Sequence, residues 1–424
     1  MPDVTPERRK VEARRMIVLI DRYLPILGGA QNNVHLLCLR LRELGWGVTV
    51  FTRRVDRSLP KAETMGGIEV RRFAPFPVRL LSKVWCAAAF VWELIRRRRE
   101  YDVVLAVPCI PMTAELPAYF AALVTRKPYL VRTTSVNFER LVTRGQPVTV
   151  LDEAIPSAVW RRVYRRAWVV VTQSRYIEQL AQDLGIRNTV TVPNPVDTER
   201  FAPATIAERQ VLRKELGLPG DKVVAVYTSR YVRGKNHLAL VRAAARVERG
   251  ERPGRLHVVL LGATERDQAS SNEREVKRYV ADHGLGGFVE LRDDVPNVED
   301  YLRAADLFVF PTVYGEGMSN AQLEAMACGL PVLASRLPQV LAALPEDWPL
   351  SFDPNDEEAL VSLLCRMIDG AEQRRALGAE LAKRVRTRHE PGRIAREYAR
   401  LLACAVEGSP PPESPPVLAT GADA

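Results

Sequence analysis

A chain of 424 residues has room for two or three domains with real cores. Its hydrophobic content of 47% is that of an ordinary globular protein, and no apolar run approaches the roughly 20 residues that span a bilayer. A net charge of +10 and a pI near 9.4 favour anionic partners: nucleotides, nucleic acid or an acidic membrane surface.

The six cysteines, Cys38, Cys86, Cys109, Cys328, Cys365 and Cys404, form no C-x-x-C pair, and the five histidines show no metal spacing. Neither a zinc site nor a disulfide framework is expected. The charged N-terminus lacks the basic, apolar and small-residue order of a secretory leader, so a reduced, cytoplasmic protein is the expectation.

Residues 1–15 read as a loose charged tail. Met16–Ile20 is a first strand, followed by a loop with Pro25, Gly28 and Gly29. Val34, Leu37, Cys38, Leu41 and Leu44 then recur at helical spacing, Gly45 ends that helix, and Val48–Phe51 is the second strand. Between Pro77 and Arg99 an apolar helix carries Leu80, Leu81, Val84, Trp85, Ala88, Phe90, Val91, Trp92 and Ile95 and ends in Arg96 to Arg99. It reads either as a core helix whose basic end suits its dipole or as an interfacial helix with an arginine anchor.

Val103–Val107 and Tyr129–Arg132 are strands. From Ser157 to Trp168 one helix face holds Trp160, Val163, Tyr164 and Ala167, the other Arg161, Arg162, Arg165 and Arg166; it is a solvated face or a membrane-surface patch. Trp168–Thr172 is a strand, and Ser174 starts a helix. A linker through Gly217–Gly220 leads to a second sheet.

That sheet opens with Val223–Ser229. A loop with Arg230, Gly234 and Lys235 follows, and Asn236 is placed to cap the helix His237–Val247. A planar guanidinium and a mobile ammonium on one short loop suit phosphate. Leu256–Leu261 and Val289–Leu291 are further strands; Asp293 and Asp294 are adjacent, not D-x-D, and no metal is assigned. Helices are expected over Ala359–Ile368 and Glu372–Thr387, with Pro391 and Gly392 breaking the pattern before a last helix Arg393–Ala405. Residues 407–424, rich in Pro, Ser and Gly, read as a disordered tail.

The chemistry concentrates between Tyr314 and Val332, YGEGMSNAQLEAMACGLPV. A buried strand, Leu307–Pro311, precedes it, and the apolar run Val332–Ala334 follows. Ser319 and Gln322 read as a capping box, and Gly329 with Pro331 as the stop. Gly315 and Gly317 let the backbone approach a ligand, and the amides from Met318 to Ala321 open a helix that attracts phosphate. Glu316 outside the helix and Glu324 within it would accept paired hydrogen bonds from sugar hydroxyls. The plainer reading makes Glu316 a helix-dipole partner and Glu324 a solvated residue.

E-G-x-x-N-x-x-L-E-A-M-A-C-G-x-P-V resembles the signature of the family 4 glycosyltransferases, which are retaining enzymes of GT-B fold. Arg230 and Lys235 resemble that family's phosphate-holding G-R-x-x-x-x-K-G segment. Gly28 and Gly29 resemble its N-terminal glycine loop, with Gln31 where a glutamate is common. Val190–Phe201, VTVPNPVDTERF, resembles its interdomain segment, with Pro195 replacing a glycine. One departure is Thr134, which stands about where many members carry a histidine.

The resemblance implies an α/β chain of two Rossmann-like domains facing across a cleft. The first, 16–198, would shape the acceptor site and be completed by the crossing helix 393–405; the second, 199–392, would hold the donor. A nucleotide-diphosphate sugar would be the donor substrate, with no further cofactor. Glu316, Arg230 and Lys235 would be catalytic. Gly28, Gly29, Gly317, Met318, Ser319, Asn320 and Glu324 would bind the donor, with Val295 beside the base. The acceptor would be a saccharide, a lipid-linked molecule or a small molecule. An anionic membrane surface is the other partner class, and nucleic acid is not one, because no aromatic platform interleaves the basic residues. A non-catalytic nucleotide-sugar-binding subunit and a GT-B epimerase or phosphorylase are the alternatives.

Overall fold

The computed structural model describes residues 14–26, 28–73, 79–109, 113–134, 157–262, 272–293, 295–313 and 317–412. Two sheets organise them. The first contains β1 (Arg15–Ile20), β2 (Gly47–Arg53), β3 (Ala62–Met65), β4 (Ile68–Phe73), β5 (Val103–Val107), β6 (Tyr129–Arg132), β7 (Val169–Thr172) and β8 (Thr189–Thr191). Their spatial order is β3-β4-β2-β1-β5-β6-β7-β8, parallel except for β3 against β4. Met16 stands beside Val48 on one side and Val103 on the other.

Strand alternation divides the first core. Ile17, Leu19, Val104, Ala106 and Val131 point to one face, under the helices Arg79–Arg96, Glu115–Thr125, Ser157–Arg166 and Arg175–Asp183. Met16, Val18, Ile20, Val103, Leu105 and Leu130 point to the other, under the helices Gly29–Glu43 and Pro391–Glu407. Burying each such aliphatic side chain contributes roughly 1.5–3 kcal/mol before entropy is counted.

The second sheet holds β9 (Val223–Thr228), β10 (Leu256–Gly262), β11 (Val289–Asp293), β12 (Leu307–Phe310), β13 (Val332–Ser335) and β14 (Ser351–Phe352). Its order, β11-β10-β9-β12-β13-β14, is parallel throughout. Strand order reverses between β1 and β5 and between β9 and β12. In open parallel sheets, ligands bind at the carboxyl ends of strands beside such a reversal. Both sheets are therefore of doubly wound, Rossmann-like type.

Several local expectations need correction. The hairpin β3–β4 was not anticipated; its turn is Gly66–Gly67, both at positive φ (54° and 76°), which glycine adopts without Cβ strain. The helices Glu115–Thr125 and Glu273–Asp282 were also missed. Pro391 does not break a pattern but opens the last helix, where a missing N–H costs nothing, and Glu390 caps it by accepting from the Gly392 and Arg393 amides. The helix from Ser157 ends at Arg166, and Trp168 instead leads into β7.

Candidate active site

The Arg230–Lys235 loop leaves the carboxyl end of β9 and is pinned to the carboxyl end of β12. Gly234 carbonyl oxygen accepts from the Val313 amide at 3.0 Å and from Thr312 Oγ1 at 3.0 Å. Tyr227 hydroxyl donates to the Lys235 carbonyl at 2.9 Å. Asn236 sits at the cap position with φ 55° and makes no side-chain capping bond, contrary to expectation. Arg230 is exposed and Lys235 is buried, its Nζ 5.6 Å from the Phe310 ring centroid. Burial, and then the charge of Arg230, push the Lys235 amine down to about 7. Behind it His237 is buried, with Nε2 2.8 Å from Ser229 Oγ, and desolvation lowers it to about 3. It stays neutral and packs between Tyr227 and Tyr231.

The other wall is the helix Asn320–Ala327, which follows β12. Ser319 is its N-cap residue, but the anticipated capping box is absent: Ser319 makes no side-chain capping bond, and Gln322 donates to the Val340 carbonyl at 3.1 Å instead. The stop is as expected, with Gly329 at φ 76° and the Leu330 amide returning to the Ala325 carbonyl. Gly317, Met318 and Ser319 are buried. Tyr314, Gly315 and Glu316 lie outside the described residues, as does Asp294.

Glu324 is partly buried in this helix. Desolvation pushes its carboxyl up to about 7, with Arg200 opposing and Glu299 adding to the rise. Arg200 pairs with Glu299 at 2.7 Å and reaches the Pro296 carbonyl at 3.4 Å. Val295, beside Pro296, packs on the second core. Glu324 and Val295 thus share one neighbourhood, organised by Arg200.

A polar network joins this helix to the first sheet. Arg132, fully buried at the end of β6, donates Nη2 to Asn194 Oδ1 at 2.9 Å. A guanidinium only donates, so this bond sets which end of the Asn194 amide is oxygen. Asn194 Nδ2 therefore faces the Met318 carbonyl at 3.0 Å and Asn320 Oδ1 at 3.1 Å. Asn320 Oδ1 also accepts from Asn33 Nδ2 at 2.7 Å, and its Nδ2 donates to the Gly29 carbonyl at 2.8 Å. The Met318 amide, expected to be open to a ligand, donates to Gln173 Oε1 at 3.0 Å.

The network explains the glycine loop. A Cβ on Gly29 would lie 2.8 Å from Asn320 Nδ2, and one on Gly28 would meet Gln31. His389 Nδ1 donates to the Asn194 carbonyl at 2.8 Å, and its own carbonyl accepts from the Val196 amide, so the two segments crossing between the sheets bind each other. Thr134 donates Oγ1 to the Pro108 carbonyl at 2.8 Å. Asn33, Gln173, Arg132, Arg200 and Glu299 were missed from sequence. Asn194 lay inside a segment already singled out, and the buried polar residues at strand ends were the remaining signal.

Two family models match. The Glycosyltransferase Family 4 model takes in residues 27–200, and the model for glycosyl transferases group 1 takes in residues 222–370. The chain is 28% identical over 330 residues to D-inositol 3-phosphate glycosyltransferase of Kribbella flavida, covering 73% of this chain and 74% of that one. In fold it is similar to sucrose-phosphate synthase from Thermosynechococcus elongatus, with TM-score 0.76, 21% identity, and 93% and 100% of the two chains covered. It is likewise similar to Anabaena HepE in complex with UDP-glucose, with TM-score 0.73, 17% identity, and 92% and 99% covered. With residues 27–200 and 222–370 each matched by a glycosyltransferase model, the chain belongs to the family 4, group 1 glycosyltransferases and has the GT-B fold.

Proposed function

We propose that the protein is a retaining enzyme that moves a sugar from a nucleotide-diphosphate sugar to an acceptor hydroxyl, in polysaccharide, glycolipid or glycoconjugate synthesis. The observation that carries this reading is Lys235, buried beside Arg230 at the carboxyl end of β9, next to the strand-order reversal. A half-discharged amine and a guanidinium on one pinned loop are prepared for a polyanion. Bound diphosphate restores the amine's charge, and the pair then stabilises the negative charge that grows as the diphosphate leaves.

In the reaction, the acceptor oxygen bonds to the anomeric carbon as the bond from that carbon to the phosphate oxygen breaks. The acceptor's proton passes to the departing phosphate. Attack from the face the phosphate leaves retains configuration. Glu316 acts on the transferred sugar, Glu324 accepts from ribose hydroxyls, and Val295 lies beside the base. Gly28, Gly29, Gly317, Met318, Ser319 and Asn320 form the donor-side wall.

The relative's name points to a phosphorylated polyol as one acceptor class. Arg53, at 3.1 Å, and Arg22, at 3.6 Å, share the single carboxylate of Asp21 at the carboxyl ends of β1 and β2. The surplus positive charge there suits an anionic acceptor. The test is a panel of nucleotide sugars with neutral and phosphorylated polyol acceptors. Nucleoside diphosphate release and an NMR assignment of the product anomer are read. Inversion at the anomeric carbon, or transfer without diphosphate release, would overturn the reading.

A further inference from the structure

The helices Arg79–Arg96 and Glu115–Thr125 pack side by side on one face of the first sheet. Each buries one side: Phe90 and Leu94 on the first, Leu116, Tyr119 and Ala121 on the second. Their outer sides are not polar. Trp85 is 53% exposed and Trp92 67%, seven residues apart and so on one stripe of their helix. Phe120, Leu123 and Val124, at i, i+3 and i+4, are 49%, 56% and 63% exposed on the neighbouring helix. Single exposed apolar residues need no explanation. Here, of the twelve large apolar side chains exposed among the described residues, six fall on these two adjoining helices, Val84 being the sixth. That concentration marks an interaction surface.

The charge around it chooses the partner. Each helix returns antiparallel to the parallel strands it connects, so its C-terminal end lies at the sheet edge away from the cleft. Arg98 and Arg99, Arg126, and Arg165 and Arg166 of the next helix are exposed at that edge. Arg162 ties the third helix to the patch by donating to Tyr119 hydroxyl at 3.1 Å. Tryptophan and short aliphatic groups beside arginine suit the headgroup–acyl boundary of an anionic bilayer, where rings sit at the interface and guanidinium groups meet phosphates. No helix among the described residues is long and apolar enough to cross a membrane, so this surface would lie on one.

We propose that this two-helix face, with Trp85, Trp92, Phe120, Leu123 and Val124 entering the interface and the arginine edge on the phosphates, docks the protein on anionic lipid. The surface lies outside the donor site, and its test needs no turnover. The experiment is co-sedimentation of the full chain with vesicles of phosphatidylglycerol and phosphatidylcholine, and with phosphatidylcholine alone.

The expected result is binding to the mixed vesicles, weaker in high salt, with a blue shift of tryptophan emission. Trp85→Ser/Trp92→Ser should lose about ten-fold or more in vesicle affinity, and the shift with it, while circular dichroism and thermal midpoint are kept. Arg165→Glu/Arg166→Glu should weaken binding to the mixed vesicles. Failure of the wild-type protein to sediment with the mixed vesicles, or unchanged binding by the double tryptophan variant, would overturn the proposal. So would a dimer in solution that the tryptophan variant dissociates, since a second copy would then be what covers the face.

Discussion

Asn194 donates through Nδ2 to Asn320 Oδ1 at 3.1 Å, and 126 residues of chain separate them. Asn194 belongs to the segment crossing between the sheets, and Asn320 opens the helix of the glutamate motif. The bond is one strand of a network that begins at the buried guanidinium of Arg132. Asn194→Asp keeps the Arg132 contact but turns a carboxylate oxygen toward the Met318 carbonyl and Asn320 Oδ1. Two hydrogen bonds are lost, each contributing about 0.5–1.5 kcal/mol, and repulsion replaces them. The expected outcome is a larger radius of gyration by small-angle scattering, a raised KM for the donor, and unchanged circular dichroism. A variant as compact as wild type would contradict it.

Gly29→Ala should act on the same contact from the other side. The new Cβ would stand 2.8 Å from Asn320 Nδ2, too close unless that amide moves. Asn320 is held at both ends of its amide, so movement breaks the network. Transfer should fall about ten-fold or more. Asn320→Ala removes the obstructing group, so adding Gly29→Ala to Asn320→Ala should cost little further. Additive losses in this double-mutant cycle would show that the two residues do not meet.

Donor affinity should depend on pH through Lys235. Its ligand-free value is about 7, against an ordinary 10.5. Diphosphate favours the protonated amine, so the bound value lies higher, and binding takes up a proton between the two. Affinity is then full below about 7 and falls as pH rises, by at most about ten-fold per unit. Lys235→Arg keeps its charge across this range, so the fall in affinity that comes from the amine should disappear. Calorimetry in buffers of different ionisation enthalpy reads the proton uptake directly.

Gly378 is predicted to be a packing requirement. In the helix Ala371–Arg388 it lies against the Gly329 carbonyl at the end of the motif helix, and a Cβ there would overlap backbone. Backbone cannot rotate away as a side chain does. Gly378→Ala should lower stability by about 1–3 kcal/mol, as overpacking does, read as a fall in thermal midpoint.

The legible parts of the chain were those where pattern and burial agree. The strands Val103–Val107 and Tyr129–Arg132 are continuous apolar runs, and the structure starts and ends them at the same residues. The helix Glu115–Thr125 was missed because its exposed face, Phe120, Leu123 and Val124, is as apolar as its buried one, so no periodicity remains to be seen. Gly66–Gly67 was a readable hairpin signal. At the site, the motif gave Asn320 and Ser319, but not what they bind: a capping box needs local geometry alone, and Gln322 found a better partner in the Val340 carbonyl. Gln173 and Asn33 act through contacts across more than a hundred residues, which spacing does not encode.

The division of labour within the donor site has the most direct test. Arg230 and Lys235 are assigned to the diphosphate and Glu316 to the sugar. Titration calorimetry with the free nucleoside diphosphate that gives the largest thermal shift separates them, because that ligand carries no sugar. A hydrogen bond to a charged group contributes about 1.5–3 kcal/mol, so Arg230→Ala should weaken binding by roughly ten-fold or more. Glu316→Gln should bind the diphosphate as wild type does while losing most transfer. If Glu316→Gln weakens diphosphate binding as much as Arg230→Ala, or Arg230→Ala binds it normally, the assignment is wrong.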